Sequence, residues 1–180
     1  MGTQDAELIE DAELSFKLLE FSIRAMCYAE LGKIDAELFG QDLQLNLEEE
    51  NVFYRKGEFS NPDEIVRASQ MNIGAAFAAT AISLDCALEM HSCENKNIEI
   101  IKKLIQSVRN AFSHGIANPI WYVKQHKREI LDLSFIDAPA VDLGALNGNT
   151  FKYSDIGGLA AWYRAKEFVV ATLKASACVT

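Results

Sequence analysis

Arg109 and His114 are the two side chains of this chain best suited to phosphate chemistry, in the stretch Val108-Arg109-Asn110-Ala111-Phe112-Ser113-His114-Gly115. A guanidinium presents a planar fork of donors that matches two phosphate oxygens, and an imidazole can take or give a proton near neutral pH. Asn110 lies four positions before His114, so on a helix the two share a face and the amide can orient the ring. The step from Arg109 to His114 advances about 500° in an ideal helix, which leaves the two roughly 140° apart. They can serve one site only where the helix stops. Gly115, as a left-handed closing residue, and Pro119 beyond it predict that stop, and the free carbonyls of a helix end favour a cation at His114.

Structural roles compete with this chemistry. His114 can simply bond the last carbonyls of its helix, and Arg109 can pair with Glu89 or Glu94. A hydrolase triad through Ser113 lacks the Gly-x-Ser-x-Gly elbow. Cys86, His91 and Cys93 lack the fourth ligand and paired spacing of a zinc site, so no metal is expected. His91 and His126 have no comparable context and read as surface or loop residues. No Gly-rich phosphate loop with Lys-Ser/Thr occurs, and no cofactor is expected.

The run Arg109-Asn110-x-x-x-His114, preceded by an amphipathic helix and by long helices before it, resembles the signature of the HEPN superfamily. These are small α-helical domains that include metal-independent endoribonucleases and many toxin components. The specific motif covers residues 109–114, and a looser likeness in helix order covers about 5–176. The resemblance implies a single helical domain over 1–180, an RNA substrate, and a homodimer whose cleft is lined by Arg109 and His114 of both copies. It assigns catalysis to Arg109, Asn110 and His114, in a toxin or defence component with an antitoxin or nucleotidyltransferase-like partner on a separate chain. The alternative is a catalytically silent HEPN-like module that binds a protein or a nucleotide.

A chain of 180 residues with 49% hydrophobic residues can bury a core. Its net charge of −9, from 26 acidic and 17 basic residues, argues against nucleic-acid binding by the surface as a whole. A cleft can differ from the whole surface. Lys102, Lys103 and Arg109, followed by Lys124, Lys127 and Arg128, are the one basic concentration, and they surround the motif. Four cysteines without a CxxC pair read as reduced thiols of a cytoplasmic protein. The acidic start lacks a secretory signal, and the charge-free stretch Ala68–Leu84 is too polar and short for a membrane span, so no membrane association is expected.

The elements that must position the motif follow from periodicity. Apolar residues at threes and fours predict one or two helices from Asp5 to Phe39, broken near Gly32. Leu43, Leu45 and Leu47 alternate, predicting a short extended segment or ordered loop within 40–60. Asn61 as cap, Pro62 in the first turn and Asp63 with Glu64 at the positive end of the dipole predict a helix to Met90. Uncharged all round from Ile73 to Leu84, it belongs in the middle of a bundle, its alanines packed internally or against a second subunit. Asn95 or Asn97 caps the next helix, Ile98–His114. Partial alternation over Ile130–Ile136, then Val141–Leu146, Asn147-Gly148 and Asn149–Tyr153, predicts a β-hairpin within about 130–153, turning at Asn-Gly. Ser154 or Asp155 caps a last helix through Leu173. The expected fold is mainly α, an up-and-down HEPN-like bundle with that small hairpin before the last helix.

Overall fold

Asn61 starts the central helix as its residue type predicts: its Oδ1 accepts from the Asp63 N–H at 3.0 Å and its carbonyl from the Glu64 N–H at 3.0 Å. The computed structural model describes residues 3–59, 61–89 and 95–176. Among the described residues six α-helices carry the fold: α1 (Thr3–Glu30), α2 (Ala36–Phe39), α3 (Pro62–Glu89), α4 (Lys96–Phe112), α5 (Leu143–Leu146) and α6 (Gly158–Ser176). Short antiparallel pairs join β1 (Leu43–Asn46) to β2 (Asn51–Tyr54) and β4 (Ile130–Leu131) to β5 (Val141–Asp142), with β3 at Lys56–Phe59. Both the mainly helical class and a small antiparallel pair before the last helix agree with the sequence expectation.

α1 runs along α3. Ile9, Ala12, Phe16 and Leu19 are buried, and the Asn72 amide donates to Ser22 Oγ at 3.0 Å across the interface. The helix ends where Gly32 enters the left-handed region at φ 60°, with Lys33 N–H donating to Tyr28 C=O and Gly32 N–H to Ala29 C=O. By length and composition alone α3, which contains the charge-free stretch Ala68–Leu84, is long and apolar enough to cross a membrane. Yet Ala76, Phe77, Ala81, Leu84 and Leu88 of that helix are almost completely buried within the protein, with Ala75 and Ala79 half-buried. The small residues let neighbouring backbones close on it.

Phe77 is the meeting point of the core. The rings of Phe112 from α4, Phe151 and Tyr153 from the following segment, and Trp162 from α6 lie 5.0–5.5 Å from its ring. Trp162 Nε1 donates to Thr80 Oγ1 at 2.8 Å, and that hydroxyl donates in turn to Phe77 C=O at 2.6 Å. A fully buried indole N–H is thereby satisfied. α6 buries Trp162, Ala165, Val169 and Leu173, the stripe expected of a closing helix.

The segment between α4 and α6 differs from the expected hairpin. Asp142 caps α5, its Oδ1 accepting from the Gly144 and Ala145 N–H groups at 2.9 and 3.0 Å, so Leu143–Leu146 coils into a helical turn instead of a strand. The β4–β5 pair, with Ile130 opposite Asp142 and Leu131 opposite Val141, lies before it. Asn147-Gly148 still makes a turn, with Gly148 at φ 84°, but the chain it turns joins residues 119–123. Trp121 exchanges hydrogen bonds with Gly148 and Asn149, Phe151 N–H reaches Pro119 C=O, and Ile120 bridges Thr150. Nor do Ser154 and Asp155 cap α6. Tyr153–Ile156 forms a 3-10 turn, the Asp155 carboxylate accepts from Lys152 N–H and Trp121 Nε1, and α6 starts at Gly158.

Candidate functional site at the end of α4

α4 is set by Asn95, whose side chain accepts from Asn97 N–H at 2.9 Å, and by a buried stripe of Ile98, Ile101, Leu104, Ile105, Val108 and Phe112. It ends at Phe112, two residues before the predicted terminus. Gly115 is not left-handed. Ser113 follows as the C-cap, still helical at φ −65°, with its N–H and its Oγ both donating to Asn110 C=O, the latter at 2.7 Å. Gly115 N–H donates to Phe112 C=O at 3.3 Å and Ile120 N–H to Ala111 C=O at 3.1 Å. Those carbonyls therefore have partners other than His114, whose side chain is exposed and lies edge-on to Tyr122 with ring centres 6.0 Å apart.

Arg109, Asn110 and His114 line one groove of about 370 Å³ at this helix end, together with Gln106, Ser107, Ser113, Tyr122, Val123, Lys124 and Lys127. No carboxylate lines it among the described residues. In a chain of net charge −9, such a concentration of cations makes a local positive site. Lys127 Nζ donates to Gln106 Oε1 at 3.3 Å, and neither Lys124 nor Lys127 is ion-paired among the described residues. The rest of the predicted basic concentration points elsewhere. Lys102 donates to Leu88 C=O, Lys103 pairs with Glu129 at 2.9 Å, and Arg128 donates to Val123 C=O while lining an adjacent groove. Among the described residues no hydrogen bond joins the Asn110 side chain to His114, so their proximity rests on the shared groove wall.

Among the described residues the ion-pair partner of Arg109 is not Glu89. It is Asp85 of α3, which receives the guanidinium Nη1 and is 1% exposed, whereas the Arg109 side chain is 40% exposed; Glu94 and the zinc candidates His91 and Cys93 lie outside the described residues. The geometry divides Arg109 into a buried edge held by a carboxylate and a free edge in the groove. Burial pushes the Asp85 carboxyl above the ordinary carboxylate range; the Arg109 charge opposes that rise and Glu89 adds to it. Asp85 Oδ1 has no hydrogen-bond partner, so the pair holds a partly unsatisfied buried charge. Asp85 escaped the sequence reading, although a signal was there. It is the only charged residue between Arg67 and Glu89 on an otherwise apolar helix.

Tyr122 was missed as well. Along Ile120-Trp121-Tyr122-Val123-Lys124, Trp121 and Val123 are buried while Ile120, Tyr122 and Lys124 are exposed, the alternation of an extended strand. That backbone is pinned on both sides, by Ala111 C=O of α4 and by Asn147 Oδ1, which accepts from Val123 N–H at 2.8 Å. Comparison with known proteins adds no relative: no family model, curated protein or solved structure matches the chain.

Proposed function

We propose that the chain is a HEPN-like endoribonuclease domain and that the groove at the end of α4 cleaves RNA by transesterification, without a metal ion. The observation that supports this best is the convergence of Arg109, Asn110 and His114 with Lys124 and Lys127 in one groove with no lining carboxylate among the described residues, on a protein that is otherwise acidic. An anionic ligand is what such a groove attracts. The free edge of the Arg109 guanidinium donates to the non-bridging oxygens of the scissile phosphate and stabilises its added negative charge in the transition state. The His114 imidazole takes the proton of the ribose 2′-hydroxyl, whose oxygen attacks phosphorus. The bond to the 5′-oxygen breaks, and that oxygen receives a proton, leaving a 2′,3′-cyclic phosphate and a 5′-hydroxyl.

This sequence needs a base and an acid, and one groove holds a single imidazole. A two-fold homodimer that joins two α4 ends supplies the second from the same histidine of another copy. α1 supports association, because Leu14, Leu18, Phe21 and Tyr28 form an exposed apolar stripe at coiled-coil-like spacing on its outer face. In this reading the domain belongs to a toxin or defence system, in the cytoplasm, restrained by an antitoxin or nucleotidyltransferase-like protein.

A second reading is a silent module that binds a protein or nucleotide. Asp85 favours it by neutralising part of the Arg109 charge. Incubating a mixed RNA pool in EDTA with the wild type and with His114→Ala separates the two. Cleavage by the wild type and a loss of about 10²–10⁴-fold in the variant support the enzyme. No cutting by either supports the module, and equal cutting by both removes His114 from the reaction.

A further inference from the structure

The cationic groove shares a wall with a second one. His114, Tyr122, Val123 and Lys124 border both, and the neighbouring groove, about 400 Å³, continues over Ile120, Gly148 and Arg128. The two differ in chemistry. The first is lined by Arg109, Lys124, Lys127 and amides. The second offers the apolar faces of Ile120 and Tyr122, 43% and 57% exposed, with Arg128 at its edge.

The shared wall is built to be rigid. Ile120, Tyr122 and Lys124 alternate outward from a backbone whose inward residues, Trp121 and Val123, are 1% and 4% exposed. Ile120 N–H is held by α4, Val123 N–H by Asn147, and the Trp121 indole by Asp155 at 2.9 Å. An aromatic ring more than half exposed, with His114 set at a steep angle to it 6.0 Å away, thus projects from a fixed strand, with a lysine two positions along on the same side. Stacking costs less there, because the hydrogen bonds of Ile120, Trp121 and Val123 already order the backbone on either side of Tyr122.

We infer that the second groove is a base-binding subsite, in which an unpaired base next to the scissile phosphate stacks on Tyr122 while Lys124 and Arg128 hold the flanking phosphates. The inference rests on the reading of the α4 groove as a phosphodiester site, and it narrows the substrate to single-stranded RNA. A base held in a duplex keeps its face against its neighbours and cannot reach an aromatic side chain, whereas an unpaired base can be splayed onto one. Charge complementarity along the shared wall and the continuity of the two grooves favour a nucleic-acid strand over a protein segment as the occupant.

The test is fluorescence anisotropy with an end-labelled 2′-fluoro-RNA oligonucleotide, which lacks the attacking hydroxyl, so binding is read without cleavage. The same strand annealed to its complement serves as the duplex probe. The expected result is that the single strand binds more tightly than the duplex, and that Tyr122→Ala weakens single-strand binding about 5- to 150-fold, the usual range for losing one stacked base. Tyr122→Phe retains binding, because the ring face and not the hydroxyl makes the contact. Tyr122 is exposed, and an unchanged melting temperature in the alanine variant shows that the loss is local. Equal affinity for both probes, an unaffected Tyr122→Ala variant, or no binding of either probe overturns the inference; the last leaves the groove to a protein partner. Tyr122-dependent single-strand binding by a protein that cuts no RNA sinks the nuclease and keeps the subsite. Cleavage that ignores Tyr122→Ala does the reverse.

Discussion

Replacing Arg109 by Gln strands a carboxylate inside the protein, and the consequence can be worked out from the burial of each partner. Asp85 is 1% exposed and already carries one unpartnered oxygen, while Arg109 is 40% exposed and its removal leaves no buried cation behind. Breaking a fully buried pair from one side costs about 3–5 kcal/mol. Here the half-open position of Arg109 lets water screen the pair, and a cost of about 2–4 kcal/mol is expected. For a domain of this size that is a fall in Tm of about 5–15 °C. The pH dependence gives the mechanism away. Asp85 is already pushed up by burial, and without the opposing Arg109 charge its folded-state pKa rises further. A group whose pKa is raised by folding contributes its stability below the unfolded value and loses it as pH rises through the folded one. The deficit of Arg109→Gln against wild type is therefore largest near neutral pH and closes as pH falls toward the ordinary carboxylate value. Differential scanning fluorimetry from pH 4.5 to 8 on the wild type, Arg109→Gln and Asp85→Asn/Arg109→Gln measures it. The double variant should recover most of the loss, because its buried amide carries no charge. A pH-independent deficit, or a double variant no more stable than Arg109→Gln, would refute the buried-pair account, and loss of activity in any Arg109 variant has to be read against this stability.

Three further outcomes follow from separate parts of the molecule. Thr80→Val removes the oxygen that accepts from the Trp162 indole and should lower stability by about 1–3 kcal/mol in urea unfolding, with the Trp162 N–H left buried and unpaired. Gly157→Ala should destabilise by more than about 1 kcal/mol in the same assay, because φ is 83° and a Cβ would stand 2.7 Å from Pro139 Cδ. Binding of single-stranded RNA should weaken with salt at a log–log slope of roughly −3, about 0.7 for each of Arg109, Lys124, Lys127 and Arg128, and Lys127→Gln should reduce that slope by about 0.7.

Much of the frame was legible because its signals are local. The Asn61-Pro62 start, the apolar stripes of α4 and α6 and the stop near Gly32 depend on neighbours in sequence, and the structure forms them where those residues stand. The region between α4 and α6 was harder, because its pairings are set by remote partners. Asn147-Gly148 is a good turn signal, but which strands it joins was decided by Trp121 and Val123 docking onto it and by Asp142 capping α5. The exposed β1–β2 pair, Leu43 opposite Tyr54 and Leu45 opposite Val52, shows in sequence only as the alternation of leucines. At the site, the motif residues and the two lysines Lys124 and Lys127 were readable from spacing and charge. Asp85 was not, since the distance from α3 to Arg109 exists only after the bundle packs, and Tyr122 needed the buried-exposed alternation of a strand with only an isolated bridge at Ile120.

The central claim stands on the chemistry at His114 and Arg109, and the ends of the RNA products test it most directly. Single-stranded RNA incubated with the protein in EDTA should yield fragments bearing 2′,3′-cyclic phosphate and 5′-hydroxyl ends, identified by mass spectrometry, and His114→Ala at equal concentration should yield almost none. Products with 5′-phosphate ends, or the same cyclic ends from His114→Ala, would contradict it.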